Sequence, residues 1–359
     1  MKTLNKLFLA IVVSVFLGVP AIAQDEARLY GLVTPFEERA ERGEGEDVQS
    51  VLYRIDHETG VGTMIGGTGF TQCNGLDFEP VTNELFAVCR RIIDENENDA
   101  SGEVSSRVDP GVVRDVLVLV DRTTGNAVEI GALNIEDADL RTVLTDISFS
   151  RDGMLKAYVS NRDNMSESES ITNVTKNGVA GSDLLGFVDT ATGQFTTNGR
   201  TGFSELFSGI AFSPGNILYH AGGDDINLVN VLDRHTGAAG LLAPLLYPEH
   251  IADLNNTITS MDTQSITGQL FAAIFSQEII SKSGLTRNEE LGGFYLANID
   301  PRSGKVSIIG PTVEGLAAIA FLHEERVVVV PTLSEWGLIA LSGVLMLSGA
   351  FYLRRRASA

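Results

Sequence analysis

A five-residue turn is written five times along this chain: Asp56-His-Glu-Thr-Gly60, Asp121-Arg-Thr-Thr-Gly125, Asp189-Thr-Ala-Thr-Gly193, Asp233-Arg-His-Thr-Gly237 and Asp300-Pro-Arg-Ser-Gly304. Each copy follows an apolar run such as Val51–Ile55 or Val116–Val120. Most are followed by a second short strand ending in Ile-Gly or a close relative. Asp can accept hydrogen bonds from its own backbone two residues on, and Gly takes φ > 0 without a Cβ penalty. Each copy therefore closes a tight hairpin, which constrains the chain to a repeat of antiparallel strands.

The fullest module is Val51–Cys89, with strands ending at Ile55, Ile65, Phe78 and Val88 and a second tight turn at Glu79–Asn83. The same grammar returns in Thr145–Tyr158, Gly209–Tyr219, Ile258–Ile274 and Ala318–Val330. Four short strands with tight connections, repeated about every 40 to 50 residues, describe a propeller blade. Here the turn-to-turn spacing is 65, 68, 44 and 67 residues. The surplus falls in Arg90–Asp115, Asn161–Asp183 and Gln277–Leu291, which this grammar puts between blades. Alternate connections of a meander share an edge. Tight turns thus occupy one face and long connections the other, where function is expected. The expected fold is all-β, a propeller of five four-stranded blades, or six with a degenerate one. The lone strand Arg28–Val33 would complete the last blade. The stretch Leu52–Val88 resembles the repeat of exported six- to eight-bladed propeller proteins, a resemblance of fold that sets no activity.

The formal net charge is −21, of which Lys2, Lys6 and Arg354–Arg356 supply +5, so the segment between them stands at −26. Such a balance speaks against nucleic acid and anionic membranes as partners. The run Asp94–Asp99 places oxygens at alternate positions as a calcium loop does. It lacks the sixth-position Gly, and Ser105 stands where a bidentate Glu is needed. It reads as a solvated acidic loop, with Ca2+ as the alternative. No other cofactor is implied.

Met1 to Ala23 has the form of a secretory signal peptide. Lys2 and Lys6 precede the apolar core Leu7–Val19, and Ala21-Ile22-Ala23 offers signal peptidase a site before Gln24. Export makes a disulfide between Cys73 and Cys89 the expected state. A hairpin centred on Val81 without a bulge would place them opposite each other, with Leu76 facing Phe86 and Phe78 facing Glu84. The five His residues are scattered: His57 and His235 fall at exposed turn positions, and His220, His250 and His323 have no partner at metal or triad spacing. No catalytic motif is present, so no catalytic residue is assigned.

The C-terminal end is the most specific stretch. Val330-Pro331-Thr332-Leu333-Ser334-Glu335-Trp336-Gly337 precedes an apolar run, Leu338–Leu353, and then Arg354-Arg-Arg356. At 1.5 Å per residue the run and its Trp reach about 27 Å, enough for a thin bilayer, and the arginines hold the C-terminus in the cytoplasm. The tail resembles the IPTL-CTERM sorting domain, matching Ile-Pro-Thr-Leu-Ser-Glu-Trp-Gly at every position but the first. The resemblance implies a Gram-negative source, a transient inner-membrane anchor, and recognition by an exosortase-type transpeptidase that supplies the catalytic Cys. A permanent anchor is the alternative that hydropathy alone leaves open.

The domains are then a signal peptide (1–23), a repeat body (24–329) and a sorting tail (330–359). The expected function is a non-catalytic binding or matrix protein of the cell envelope, displayed or released, with an unknown extracellular ligand. The alternatives are an envelope lyase or hydrolase using the long-loop face, or a purely structural surface protein.

Overall fold

The computed structural model describes residues 27–34, 49–92, 113–135, 142–161, 182–205, 207–222, 227–252, 254–277 and 293–322, with 342–343, 345–350, 353–354 and 356 of the tail. Two compact units result, Met1–His323 and Glu324–Ala359. In the first, the opening strands are β1 (Leu29–Val33), β2 (Gln49–Ile55), β3 (Gly62–Phe78), β4 (Leu85–Ile92), β5 (Val113–Val120) and β6 (Ala127–Ala132). Next come β7 (Thr142–Phe149), β8 (Leu155–Asn161), β9 (Leu184–Val188), β10 (Phe195–Arg200), β11 (Ser208–Phe212), β12 (Leu218–Gly222), β13 (Leu228–Leu232) and β14 (Ala239–Pro244). A short helix α1 (Glu249–Ala252) leads to β15 (Asn255–Thr263), β16 (Leu270–Gln277), β17 (Gly293–Ile299), β18 (Val306–Pro311) and β19 (Leu316–Phe321).

Strands β7–β10, β11–β14 and β15–β18 each make a four-stranded sheet, and the rest join in the order β19-β1-β2-β3-β4-β5-β6. That last sheet is two units sharing one strand. The first part of β3 pairs with β2 and its second part with β4. Counted so, there are five four-stranded antiparallel units among the described residues. Their first strands, the second part of β3 with β7, β11, β15 and β19, touch in succession, and β19 returns to β3. The arrangement is that of a propeller. One apolar cluster fills each seam between neighbouring units. Strand β1 pairs with both β19 and β2 and so completes the last unit from the opposite end of the chain.

The phase of the repeat differs from the sequence grammar. Each Asp-to-Gly turn joins the third and fourth strands of a unit, so the module Val51–Cys89 straddles two units. The long segments after β4, β8 and β16 consequently join second and third strands within a unit, because β4 pairs with β5, β8 with β9 and β16 with β17. A circular repeat has no intrinsic starting strand, and the apolar pattern cannot choose one. Displacement by two strands leaves parity unchanged, so the ends flanking these segments still share the face opposite the tight turns. Their interiors lie outside the described residues. Leu29 and Phe321 pair beside Ile55, so the body begins and ends on the tight-turn face.

The turns also bind the units together. In each, the Gly amide donates to the Asp carbonyl at 2.7–2.8 Å, and the Asp carboxylate takes one or two further donors from the turn. The compact turn then lies against the fourth strand of the preceding unit. A Cβ added at Gly66 or Gly131 would stand 2.1 Å from the carbonyl oxygen of Thr124 or Thr192. Gly199 meets Thr236 and Gly310 meets Thr59 in the same way, while Pro244 takes the glycine's place against Gly304. The Ile-Gly endings are therefore seats for the next turn. Gly131→Ala should destabilise the protein by about 1–3 kcal/mol through this overpacking. Gly240→Ala, whose added Cβ meets only the Val231 carbonyl oxygen at 3.8 Å, should change stability by less than about 1 kcal/mol. Denaturant titration of the two variants checks the contrast.

Candidate functional site

The signal segment with Ala21, Ala23 and Gln24, the acidic run Asp94–Asp99, His323 and the sorting block Val330–Gly337 lie outside the described residues. Of the tail, residues 342–343, 345–350, 353–354 and 356 are helical. Among the described residues no helix is long and apolar enough to cross a membrane.

Cys73 and Cys89 form a disulfide with an S–S length of 2.02 Å and Cα atoms 3.8 Å apart. The register behind it differs from the symmetric hairpin. Leu76 faces Ala87 and Phe78 faces Leu85, one residue out, and the shift at Gly75 restores Asn74 opposite Val88. Gly75 takes φ +71 against the Asp146–Ile147 backbone of the next unit. The bulge, which sequence symmetry could not show, is what aligns the cysteines. Closing a separation of 16 residues stabilises the fold by about 3 kcal/mol, chiefly by restricting the unfolded chain.

The inner strands carry three buried carboxylates. Asp77 accepts hydrogen bonds from Phe78 N at 2.7 Å and, from the neighbouring inner strand β7, from Phe149 N at 2.5 Å. Asp146 accepts from Ile147 N, Ile210 N, Met261 N and the Ser260 hydroxyl, reaching two other inner strands. Asp262 accepts from Thr263 N and Phe321 N. Ser148 and Ser260 take the amides of Phe212 and Ile319. These links join all five inner strands at the axis. Burial raises the Asp77 pKa to about 7, against the lowering by its amide donors. Burial likewise lifts Asp146 and Asp262 well above the ordinary range, and Asp77 raises Asp262 further. Sequence reading passed over these residues because Asp or Ser in a half-polar strand looks like an outward position.

The histidines need two corrections. His57 is half-buried, its ring edge-on to Phe271 and Phe321 at 6.2 and 6.0 Å. His220 on β12 is fully buried and stacked between Tyr158 of β8 and Phe203, at 4.6 and 5.6 Å. Its Nε2 lies 3.4 Å from Glu205 Oε2, and its Nδ1 is 3.4 Å from the Asn230 amide. Glu205 belongs to the connection from β10 to β11. Its amide donates to Asp183 Oδ2, and its carbonyl oxygen accepts from the Ser160 hydroxyl. Tyr158 donates to the same Asp183 oxygen at 2.9 Å. Its phenol is held well above the ordinary pKa by burial, then by the charges of Asp183 and Glu205. Tyr247, on the β14–α1 connection, is raised in the same way by burial and then by Glu205. This polar nest fills the long-loop end of the seam between the second and third units, where the apolar cluster is small. Its members come from six separate segments, so no spacing rule could assemble them. His235 and His250 are exposed.

Residues 330–357 match the model of the IPTL-CTERM motif. The chain carries an IPTL-CTERM sorting tail. No curated protein matches the chain. Among solved structures, TolB from Acinetobacter baumannii is similar at 14% identity and TM-score 0.41, over 80% of this chain and 54% of that one. The chain thus spans about half the length of TolB. A chain of a nidogen/laminin complex is similar at 10% identity and TM-score 0.41, covering 82% and 98%. Regucalcin from Agrobacterium tumefaciens, a calcium-binding protein, is similar at 14% identity and TM-score 0.36, covering 70% and 78%.

The axial carboxylates make stability depend on pH with a definite sign. A raised folded pKa means that the protonated form stabilises the fold. This contribution is complete below the unfolded value near 4 and is lost as pH rises through about 7 for Asp77. The melting temperature should therefore fall as pH is raised from about 5 to about 9. Asp77→Asn, which keeps an acceptor but removes the charge, should flatten that slope. Thermal melts across the pH series check it.

Proposed function

We propose that this is an exported propeller that acts without catalysis, as a binding or matrix protein of the cell envelope, and is sorted through its tail. The observation that carries the reading is the IPTL-CTERM match at residues 330–357. The motif implies processing by an exosortase-type enzyme, and that membrane partner supplies the reacting Cys. On this reading Leu338–Leu353 is the transient span, Arg354–Arg356 its cytoplasmic stop, and residues 1–23 the export signal. Pro331 keeps the recognition block out of the helix, and Trp336 sits at the interface. Both ends of the body leave from the tight-turn face. That leaves the opposite face, whose connections hold most of the acidic side chains of the chain, to meet a ligand.

The mature protein should begin at Gln24 and lack Leu338–Ala359. Replacing Pro331–Trp336 by alanines should leave an uncleaved form in the inner membrane. Intact-mass measurement on fractionated envelopes reads both. Equal mass and equal membrane residence of the wild type and the variant would mark the tail as a permanent anchor.

A further inference from the structure

Both members of the Glu205–His220 ion pair are buried, at 3% and 0% exposure, whereas Arg90–Asp115, Arg91–Glu129 and Arg234–Asp152 all reach solvent. The pair joins two units. Glu205 lies on the connection that leaves β10 of the second, and His220 lies on β12 of the third. Phe203 of the same connection stacks on one face of the imidazole, and Tyr158 of β8 on the other. Glycine at position 222 makes room for the carboxylate, since a Cβ there would fall 1.6 Å from Glu205 Oε2. Neither oxygen of Glu205 accepts a hydrogen bond among the described residues, so the imidazole is what meets its charge. The apolar cluster beneath is the smallest of the five, and little else holds the connection down.

We propose that this pair is a proton-operated latch, which holds the β10–β11 connection over the long-loop end of the seam while the imidazole is protonated and lets it go when the proton leaves. The groups around the ring make the imidazole the switching member. Tyr158 of β8 and Tyr247 of the β14–α1 connection are kept un-ionised by burial and then by the neighbouring carboxylates. Asp183, ahead of β9, accepts from the Tyr158 hydroxyl and the Glu205 amide. Arg200 of β10 is exposed and donates to the Ser182 carbonyl oxygen. Imidazole is the ordinary side chain that changes charge between about pH 5 and pH 8. In the protonated form Nε2–H faces Glu205 Oε2 at 3.4 Å. Nδ1–H then needs an acceptor, which Asn230 supplies with its amide turned over, an assignment that coordinates alone do not distinguish. That bond also satisfies Asn230 Oδ1, which otherwise has no partner among the described residues. In the neutral form a carboxylate stays buried beside Asp183 with no cation to offset it, an arrangement that burial strongly disfavours. Lifting the connection returns Glu205 to water and takes Phe203 off the ring. Protonation favours the closed form, so the latch is complete on the acid side and is lost as pH rises through the imidazole titration.

The test uses the full-length chain and follows amide exchange, corrected for the intrinsic effect of pH, at Phe203 and Glu205. These amides donate to Thr201 Oγ1 and Asp183 Oδ2 within the connection. Their protection should fall about tenfold or more between about pH 5 and about pH 8, with a midpoint that coincides with the NMR titration of the His220 ring. The Asp77→Asn background separates this response from that of the axis, because there the fall at Glu205 should persist. Glu205→Gln, which removes the buried charge, should keep the connection protected across the range. His220→Gln, which leaves the carboxylate without a cation, should leave it unprotected throughout. Protection at Phe149, bonded to Asp77 at the axis, shows in each variant that the ring is folded. If the variants fail to fold, the wild type still decides: protection at Glu205 that stays flat or rises with pH, or a His220 ring that titrates without moving it, overturns the proposal. The same fall in His220→Gln as in the wild type overturns it too.

Discussion

The contact on which this architecture depends is backbone against backbone: a tight turn pressed onto the fourth strand of the unit before it. Four of the five seats are glycines, because the approach leaves no space for a Cβ, and the fifth is Pro244 against Gly304. The turn is rigid before it docks. Its Asp carboxylate takes the turn amides, which hold Asp56, Asp121 and Asp233 below the ordinary carboxylate range, and at Asp300 the Ser303 hydroxyl leads the same effect. A rigid element docking into a fixed seat loses little entropy on assembly. Five repetitions leave each unit bearing on two neighbours, and β1 removes the last open edge.

At the axis the solution is different. There the five inner strands, whose large side chains pack into the seams, are linked to one another by short polar acceptors. Asp77, Asp146, Ser148, Ser260 and Asp262 each collect an amide from another inner strand. Asp77, Asp146 and Asp262, buried against amide and hydroxyl donors, are tolerable only where protonation removes the charge, which is the state their raised pKa values favour at low pH. The rim is thus held by shape, the axis by proton-dependent polar bonds, and the first two strands of the first unit also by the Cys73–Cys89 disulfide.

Much of this was legible in the sequence, and the parts that were not share a cause. The turns are local: Asp, Gly and an apolar run lie within ten residues, so their chemistry is written contiguously. The tail is contiguous too, and its motif was readable to the residue. The phase of the blades was not, since a ring read from its sequence alone has no first strand. The bulge at Gly75 depends on the Asp146–Ile147 backbone of the next unit, and a hairpin considered alone cannot show it. Glu205, His220, Asn230, Tyr158 and Tyr247 meet only because two units close against each other. A histidine in the strand Leu218-Tyr-His-Ala-Gly222 carries no sign of a glutamate fifteen residues earlier.

The central claim is that five units form one cooperative ring joined at its axis. Native-state hydrogen exchange of the amides of Phe149, Ile210, Phe212, Met261, Ile319 and Phe321 tests it most directly, because each donates to an acceptor on another inner strand. In a single ring all six exchange only through global opening, with the same free energy and the same dependence on denaturant. A subset that exchanges early, with its own smaller free energy, would show that one unit opens alone and would contradict the account.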